Sequence, residues 1–196
     1  MTDFIGRDLD QLDTPALLVD LDRLERNIAR MAAFARRHGV ALRPHAKSHK
    51  SAGIGRRQMD AGAVGLTVAK LDEAEAFLEA GFTDLFVANQ VVGKQKWERL
   101  ARLAQRGTMA VGVDDADVAA GIAAAARTVG ATVDVVIEID TGLHRAGVLP
   151  GEPALRLAEH IALLDGSDCA ACSRMRVTPT ARIRQRKSGA SAGKRV

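Results

Sequence analysis

The chain has 196 residues, 47% of them hydrophobic and 27% charged, a composition typical of a globular domain and not of a disordered or fibrous protein. No apolar run approaches the roughly 18 residues that cross a bilayer, and the first residues lack the basic-then-apolar order of a signal peptide. We therefore expect a cytoplasmic protein of one domain without a membrane partner.

The net charge of +4 is unevenly distributed. Residues 166–196 contain eight lysines and arginines and one acid, Asp168, whereas residues 1–165 contain 20 basic and 23 acidic residues. The body of the protein is therefore mildly acidic and only the tail is basic, which makes nucleic acid an unlikely partner for the body.

The predicted elements begin after Asp13-Thr14-Pro15, where residues 16–19 are apolar and predict a buried strand. Apolar residues then recur at helical spacing, with Asp20 placed to cap the helix and Gly39 to end it. From residue 40 onward, short apolar runs alternate regularly with stretches of helical spacing. The predicted strands are residues 40–42, 65–68, 85–88, 109–113 and 133–139, and the predicted helices are about residues 51–60, 71–79, 94–105, 115–129 and 152–164.

Strands that alternate with helices of this length indicate parallel βαβ units. The predicted fold class is therefore α/β, a partial (β/α)8 barrel of the TIM type with about five βα units, with an open sheet as the alternative. A dinucleotide-binding sheet is disfavoured, because no G-x-G-x-x-G follows the first strand. Gly81, Gly107 and Gly130 stand at helix ends, where a left-handed residue is useful.

The periodicity stops after residue 165, and residues 166–196 have the Arg-, Ser-, Ala- and Gly-rich composition of a disordered segment. We expect a partial barrel over residues 1–165 and an aberrant or disordered basic tail over residues 166–196. A truncated or frameshifted reading frame explains this change best, and a basic arm that binds nucleic acid is the alternative. The tail also holds Cys169 and Cys172, but a single C-x-x-C is a weak signal of a metal or redox site.

Residues 43–50 carry the most informative chemistry in the chain. They place Lys47 among two histidines, Arg43 and Lys50, directly after a predicted strand. Crowding by other cations disfavours the ammonium form of a lysine, and a neutral amine can attack a carbonyl to form a Schiff base. The alternative is a basic loop that holds an anion or is merely solvated. Lys47, Asn89 and residues 140–145 all fall at predicted carboxyl ends of strands, where barrels of this type keep their chemistry.

Several spaced motifs resemble the D-threonine aldolase and D-serine dehydratase-like group, pyridoxal-phosphate enzymes that share the alanine racemase N-terminal barrel. The first motifs are residues 13–20, Asn27 and residues 43–50. Three further stretches agree in order, namely residues 73–75, 87–93 and 137–148. The resemblance covers about residues 10–165.

The resemblance implies that Lys47 forms the Schiff base with pyridoxal 5'-phosphate and that Arg145 approaches the cofactor's phenolic oxygen and pyridine edge. A guanidinium there favours an unprotonated pyridine nitrogen, which limits the electron sink and hence side reactions. His45 and Asn89 are further candidates for cofactor binding, His45 by tuning Lys47 or relaying a proton and Asn89 by orienting cofactor or substrate. The structural alternatives are a loop-ordering role for His45, a turn role for Asn89 and a salt bridge between Arg145 and Asp140.

The activity implied by the resemblance is that of a lyase acting on β-hydroxy D-amino acids, of the D-threonine aldolase type. A D-serine dehydratase-like enzyme, an amino-acid racemase, a pyridoxal-phosphate carrier and a basic-tailed nucleic-acid binder are the alternatives. Family members are longer, and their phosphate-binding glycine loop, a tyrosine and the ligands of a divalent metal have no counterpart in this chain, which contains no tyrosine. We therefore expect impaired activity for this chain and a homodimer as the possible assembly of a full-length protein.

Overall fold

The structure is a computed structural model that describes residue 6, residues 8–165 and residues 175–179. Helices and strands alternate along this part of the chain, as predicted. The helices are α1 (Leu21–Arg37), α2 (Ala52–Asp60), α3 (Leu71–Glu79), α4 (Lys94–Ala104), α5 (Ala116–Thr128) and α6 (Glu152–Asp165). The strands are β1 (Leu66–Val68), β2 (Asp84–Gln90), β3 (Thr108–Val113), β4 (Val133–Ile139) and β5 (Met175–Pro179).

The strands form one parallel sheet in the order β1-β2-β3-β4-β5. The extended chain before α2 continues this sheet beyond β1, because Thr67 N donates to Pro44 O at 2.7 Å and His45 forms a bridge with Thr67. Since all the strands run in the same direction, their carboxyl ends meet at one end of the sheet.

Capping residues set the helix boundaries that the sequence predicted. Asp20 accepts a hydrogen bond from Arg23 N at 3.0 Å and caps α1, and Asp115 caps α5 in the same way. Gly39 follows α1 with φ +62°, a left-handed conformation that glycine adopts at little cost.

Gly107 does not have the left-handed backbone conformation that was predicted for it at a helix end. Gly81 and Gly130 do have positive φ, but Gly107 does not. A Cβ at Gly107 would lie 2.8 Å from Thr83 O, so glycine is required there for close backbone approach and not for its φ.

One face of the sheet packs against the helices and forms the hydrophobic core. Along β2, Leu85 and Val87 are fully buried whereas Phe86 and Ala88 are half-buried, because successive side chains of a strand face opposite sides. Each fully buried Leu, Ile or Val contributes about 1.5–3 kcal/mol relative to an exposed one. The largest fully buried side chains are Leu66, Leu85, Leu100, Met109, Ile122, Ile137 and Ile161. The half-buried face is therefore the one that remains accessible to a small molecule.

Two predicted strands are not formed by the described residues. Residues 16–19 belong to no strand, and the side chain of Leu17 is fully exposed instead of buried. Residues 40–42 also form no strand, although Leu42 O accepts a hydrogen bond from Val64 N at 2.9 Å. A short apolar run becomes a strand only where a neighbouring strand pairs with its backbone, and the apolar pattern does not report that neighbour.

Strand β5, Met175–Pro179, lies in the segment whose composition is that of a disordered tail. Its backbone pairs with β4 from Val135↔Met175 to Ile139↔Pro179. The edge of β4 offers a row of backbone donors and acceptors that another segment can satisfy without an apolar pattern of its own. The rest of the predicted tail, including Cys169 and Cys172, lies outside the described residues.

None of the helices that the structure describes is both long and apolar enough to span a bilayer.

Candidate active site

A short turn presents Lys47 at the carboxyl end of the sheet. The turn is a 3-10 helix, Ala46–Ser48, that begins where the extended segment after Pro44 ends. The carbonyl of Ala46 accepts from His49 N at 3.2 Å and from Lys50 N at 2.8 Å, which closes the turn. Ala46 is buried beneath it, and the side chain of Lys47 is exposed.

The Lys47 side chain borders a cleft of about 160 Å³ on the accessible face of the sheet. Residues at alternate positions of three strands form its floor, and charged side chains stand at its rim. Gly112 contributes no side chain to the floor. The lining residues are His45, Lys47, Phe86, Ala88, Gly112, Val136, Glu138 and Arg145. The structure therefore brings together three of the four predicted site residues, namely His45, Lys47 and Arg145.

His45 is half-buried beside the lysine, and its Nδ1 accepts a hydrogen bond from the Lys47 amide at 3.3 Å. Burial, and then the positive charge of Lys47, lower the pKa of His45, against opposing effects of the Thr67 backbone and Glu73. The ring is therefore neutral at neutral pH, with Nδ1 as the acceptor and its proton on Nε2.

The prediction that Arg43 and Lys50 crowd the Lys47 ammonium is wrong. The Arg43 guanidinium makes a bidentate pair with Asp84 at 2.8 and 2.9 Å, at the first residue of β2 and thus at the opposite end of the sheet from the cleft. Lys50 pairs with Glu73, with Nζ and Oε1 3.2 Å apart. Both cations are thus engaged by carboxylates, and the charged neighbours in the cleft are Glu138 and Arg145.

His49 faces α2 and not the cleft. Its Nδ1 accepts from Ser51 N at 3.1 Å, and burial lowers its pKa although the amide of Gln58 raises it. The ring therefore orders the start of α2.

The loop after β4 holds Arg145 over the cleft, and Asp140 organises that loop. Asp140 is buried and accepts from His144 N at 3.0 Å, from Gly142 N at 2.9 Å and from His144 Nδ1 at 2.8 Å. The His144 amide, then the Gly142 amide, and also the His144 ring hold the pKa of Asp140 below its ordinary value, despite its burial. The alternative salt bridge between Asp140 and Arg145 is thus wrong, because the partner of Asp140 is His144.

Arg145 is exposed at the rim, and within residues 8–165 no carboxylate lies at ion-pair distance from its guanidinium. The loop returns to β4 through Gly147, whose amide donates to Asp114 Oδ2 at 2.9 Å, and Val148 bridges to Ile139. The guanidinium therefore stands in the cleft as a cation available to a bound anion or an electron-rich ring.

Asn89 lies outside this cleft. An irregularity between Val87 and Gln90 shifts the register of β2 against β3, and Asn89 is exposed and accepts from Gln90 N at 3.0 Å. It borders a separate cavity of about 220 Å³ together with Lys96. A cofactor-binding role for Asn89 stays a prediction without support from the geometry.

Glu138 is the site residue that sequence reasoning missed. It lies in the cleft with Lys47 and Arg145, and the side-chain amide of Gln90 donates to its Oε2. The available signal was a carboxylate near the carboxyl end of an apolar strand, two positions after Val136 and therefore on the same face.

The described residues fit the aldehyde and ring end of pyridoxal phosphate: a lysine amine, a guanidinium at the rim and a flat floor at Gly112. The described residues contain no group of three or more His, Cys, Asp or Glu side chains that fits a metal ion.

Comparison with known proteins gives consistent matches. Residues 19–175 match the sequence profile of the family described as alanine racemase, N-terminal domain. D-threonine aldolase of Arthrobacter sp. is 41% identical over 161 residues, which are 82% of this chain and 42% of that protein. D-threo-3-hydroxyaspartate dehydratase of Delftia sp. is 44% identical over 156 residues, 79% of this chain and 41% of that protein. The chain thus spans about two fifths of the length of these relatives.

Solved structures match in the same way. D-threonine aldolase from Filomicrobium marinum is 48% identical with a TM-score of 0.78, over 84% of this chain and 44% of that one. Alanine racemase from Bacillus anthracis has the same fold, with a TM-score of 0.62 at 20% identity over 82% of this chain and 40% of that one. These matches confirm the predicted partial barrel.

Proposed function

The chain belongs to the alanine racemase N-terminal domain family, and from that premise we propose that it carries the cofactor lysine of a pyridoxal-phosphate-dependent lyase acting on β-hydroxy D-amino acids. The observation that carries the proposal is the placement of the Lys47 amine and the Arg145 guanidinium on one cleft at the carboxyl ends of the strands. The names of the relatives support the substrate class, since they include a D-threonine aldolase and a 3-hydroxy-D-aspartate aldolase.

Four residues of the cleft have a proposed role toward the cofactor. Lys47 Nζ would hold pyridoxal phosphate through an imine bond, and Arg145 would supply a positive charge beside its ring. When bound, the cofactor supplies an electron sink that lets a bond at the substrate's Cα break. Ala88 and Gly112 offer the ring a flat, weakly polar floor.

Two groups of the cleft can hold or move a proton. His45 is neutral at neutral pH, because burial and Lys47 lower its pKa, and so cannot serve as a standing cation beside the lysine. Glu138 is the one carboxylate among the described residues that line the cleft, and Gln90 fixes its Oε2. The other oxygen, Oε1, is therefore our candidate to accept a proton from a bound substrate.

A dehydratase is the second candidate, because a relative 44% identical to this chain is named D-threo-3-hydroxyaspartate dehydratase. The two reactions differ in which bond breaks. An aldolase cleaves Cα–Cβ and releases glycine and an aldehyde, whereas a dehydratase loses the β-hydroxyl group and releases a keto acid and ammonia. A racemase or a non-enzymatic cofactor carrier would release neither set of products. The cytoplasmic location and the homodimer stay predictions.

The test begins with cofactor binding, which does not require turnover. Purified protein is titrated with pyridoxal phosphate, and the visible absorbance band of the imine is recorded for the wild type, for Lys47→Ala and for Lys94→Ala. Lys94 is the matched control because its side chain is 86% exposed and lies outside the cleft. We expect the band in the wild type and in Lys94→Ala but not in Lys47→Ala. A band that persists in Lys47→Ala would contradict the proposal.

A protein that forms the band is then incubated with D-threonine. Glycine and acetaldehyde identify the aldolase, and ammonia and a keto acid identify the dehydratase. L-allo-threonine, the product of inversion at Cα alone, identifies a racemase.

A further inference from the structure

A buried carboxylate lies next to the turn Ala46–Ser48 that carries Lys47, the lysine turn, but does not line the cleft. Glu73 belongs to the first turn of α3, is only 8% exposed, and accepts from Ala69 N at 2.8 Å and from Lys50 Nζ at 3.2 Å. Burial raises the pKa of Glu73, but the Ala69 amide and the Lys50 ammonium together lower it by more than burial raises it. The net shift is downward, and the carboxylate is charged at neutral pH.

Lys50 has an unusual backbone conformation at the end of the same turn. Its φ is +48°, a left-handed conformation that is strained for a residue with a side chain. Its amide donates to Ala46 O at 2.8 Å and closes the turn, while its side chain reaches Glu73. Such strain persists only where the surroundings hold it, and here the amide bond to Ala46 O and the ion pair with Glu73 hold Lys50 from its backbone and from its side chain.

From these contacts we propose that Glu73 is a positioning residue for Lys47. Through Lys50 it fixes the turn Ala46–Ser48, and through Ala69 N it ties that turn to the chain just after β1. The proposal rests on the proposed function, in which Lys47 carries the cofactor. Glu73 does not touch the cleft, so its effect on the lysine is transmitted by the geometry of the turn.

Capping of α3 is the role that must be separated from positioning. Glu73 is the third residue of α3 and reaches back to an amide before the helix, as a capping carboxylate does. The bond to Lys50 goes beyond capping, since it joins α3 to the lysine turn 23 residues earlier in the sequence. Glu73→Gln keeps an oxygen that can accept from Ala69 N but removes the charge that holds Lys50.

The experiment measures how fast pyridoxal phosphate, trapped with borohydride, labels Lys47 relative to the exposed Lys94 in the same sample. We compare the full chain with Glu73→Gln, Lys50→Met and the double variant, with Glu75→Gln as the matched control. Glu75 lies on the same helix and pairs with Arg99, away from the lysine turn.

We expect each single variant to slow the relative labelling of Lys47 by about tenfold, because small displacements of a reacting group have large effects on rate. The double variant should be no slower than either single variant, since both remove the same pair. Lys50→Arg, which keeps the charge, should restore labelling, and Glu75→Gln should have no effect. If Glu73 acted only by capping α3, Lys50→Met would label Lys47 as fast as the wild type does.

The outcomes separate this inference from the proposed function. If the wild type labels Lys47 and Glu73→Gln labels it equally fast, the inference is overturned while the proposed function stands. If the wild type does not label Lys47, the proposed function fails, and amide hydrogen exchange at residues 46–50 then decides the inference. Faster exchange in Lys50→Met than in the wild type supports positioning, and unchanged exchange overturns it. Lys50→Met also serves if Glu73→Gln fails to fold, because Lys50 is exposed.

Discussion

Gly147→Ala is expected to detach the loop that carries Arg145. Gly147 has φ +98°, and an added Cβ would lie 2.6 Å from Asp140 N and 2.8 Å from the carbonyl carbon of Ile139. The left-handed backbone costs about 1–2 kcal/mol for a residue with a Cβ. Overpacking against backbone atoms that cannot rotate away costs about 1–3 kcal/mol more. The expected destabilisation of the loop is therefore roughly 2–5 kcal/mol.

Gly142→Ala is the matched control for this change. Gly142 lies in the same loop with φ +116°, but an added Cβ would meet nothing within 4 Å. It should show only the backbone cost of about 1–2 kcal/mol. Urea unfolding gives the two free energies, and the absorbance of bound pyridoxal phosphate reports whether Arg145 is still in place. Equal unfolding free energies for Gly147→Ala and Gly142→Ala would refute the close-approach argument.

Two further predictions concern the groups on either side of the site. Arg43→Met should lower the free energy of unfolding, measured in urea, by about 1.5–3 kcal/mol, because charge-assisted hydrogen bonds to the partly buried Asp84 carboxylate are lost. The rate at which Lys47 is labelled should not change. Slower labelling would contradict the position of Arg43 at the far end of the sheet. The pKa of Asp140 is depressed, so its stabilisation of the loop is present above the ordinary Asp pKa and is lost as the pH falls through the lowered value. The protection factors of the Gly142 and His144 amides, from which the intrinsic pH dependence of exchange has been removed, should therefore stay high until the pH is below the usual range for aspartate. In Asp140→Asn they should be lower and independent of pH in that range, and unaltered protection in Asp140→Asn would refute this interpretation.

The helices and the central strands could be predicted from the sequence because their signals are local. Asp20 and Asp115 cap helices whose apolar residues recur at helical spacing, and β2 to β4 are apolar runs that each follow a glycine, Gly81, Gly107 and Gly130. Which segments pair as strands depends on neighbours that are distant in the sequence. Residues 16–19 are as apolar as a strand but belong to no described sheet, and Met175–Pro179 pairs without such a pattern.

The candidate site shows the same division. The placement of Lys47 and Arg145 on one cleft could be predicted because their spaced motifs resemble a known family and because each follows an apolar run. The role of Arg43 could not, because only the sheet register places it beside Asp84 and away from the cleft. Glu138 could not be singled out either, because its importance depends on which face of β4 lines the cleft.

The most direct test of the account is to identify the lysine that pyridoxal phosphate modifies. The full chain is saturated with the cofactor, reduced with borohydride, digested and analysed by mass spectrometry. We predict that the label lies on Lys47 and that Lys47→Ala loses it. A label spread over exposed lysines such as Lys70 and Lys94, and unchanged in Lys47→Ala, would contradict the account.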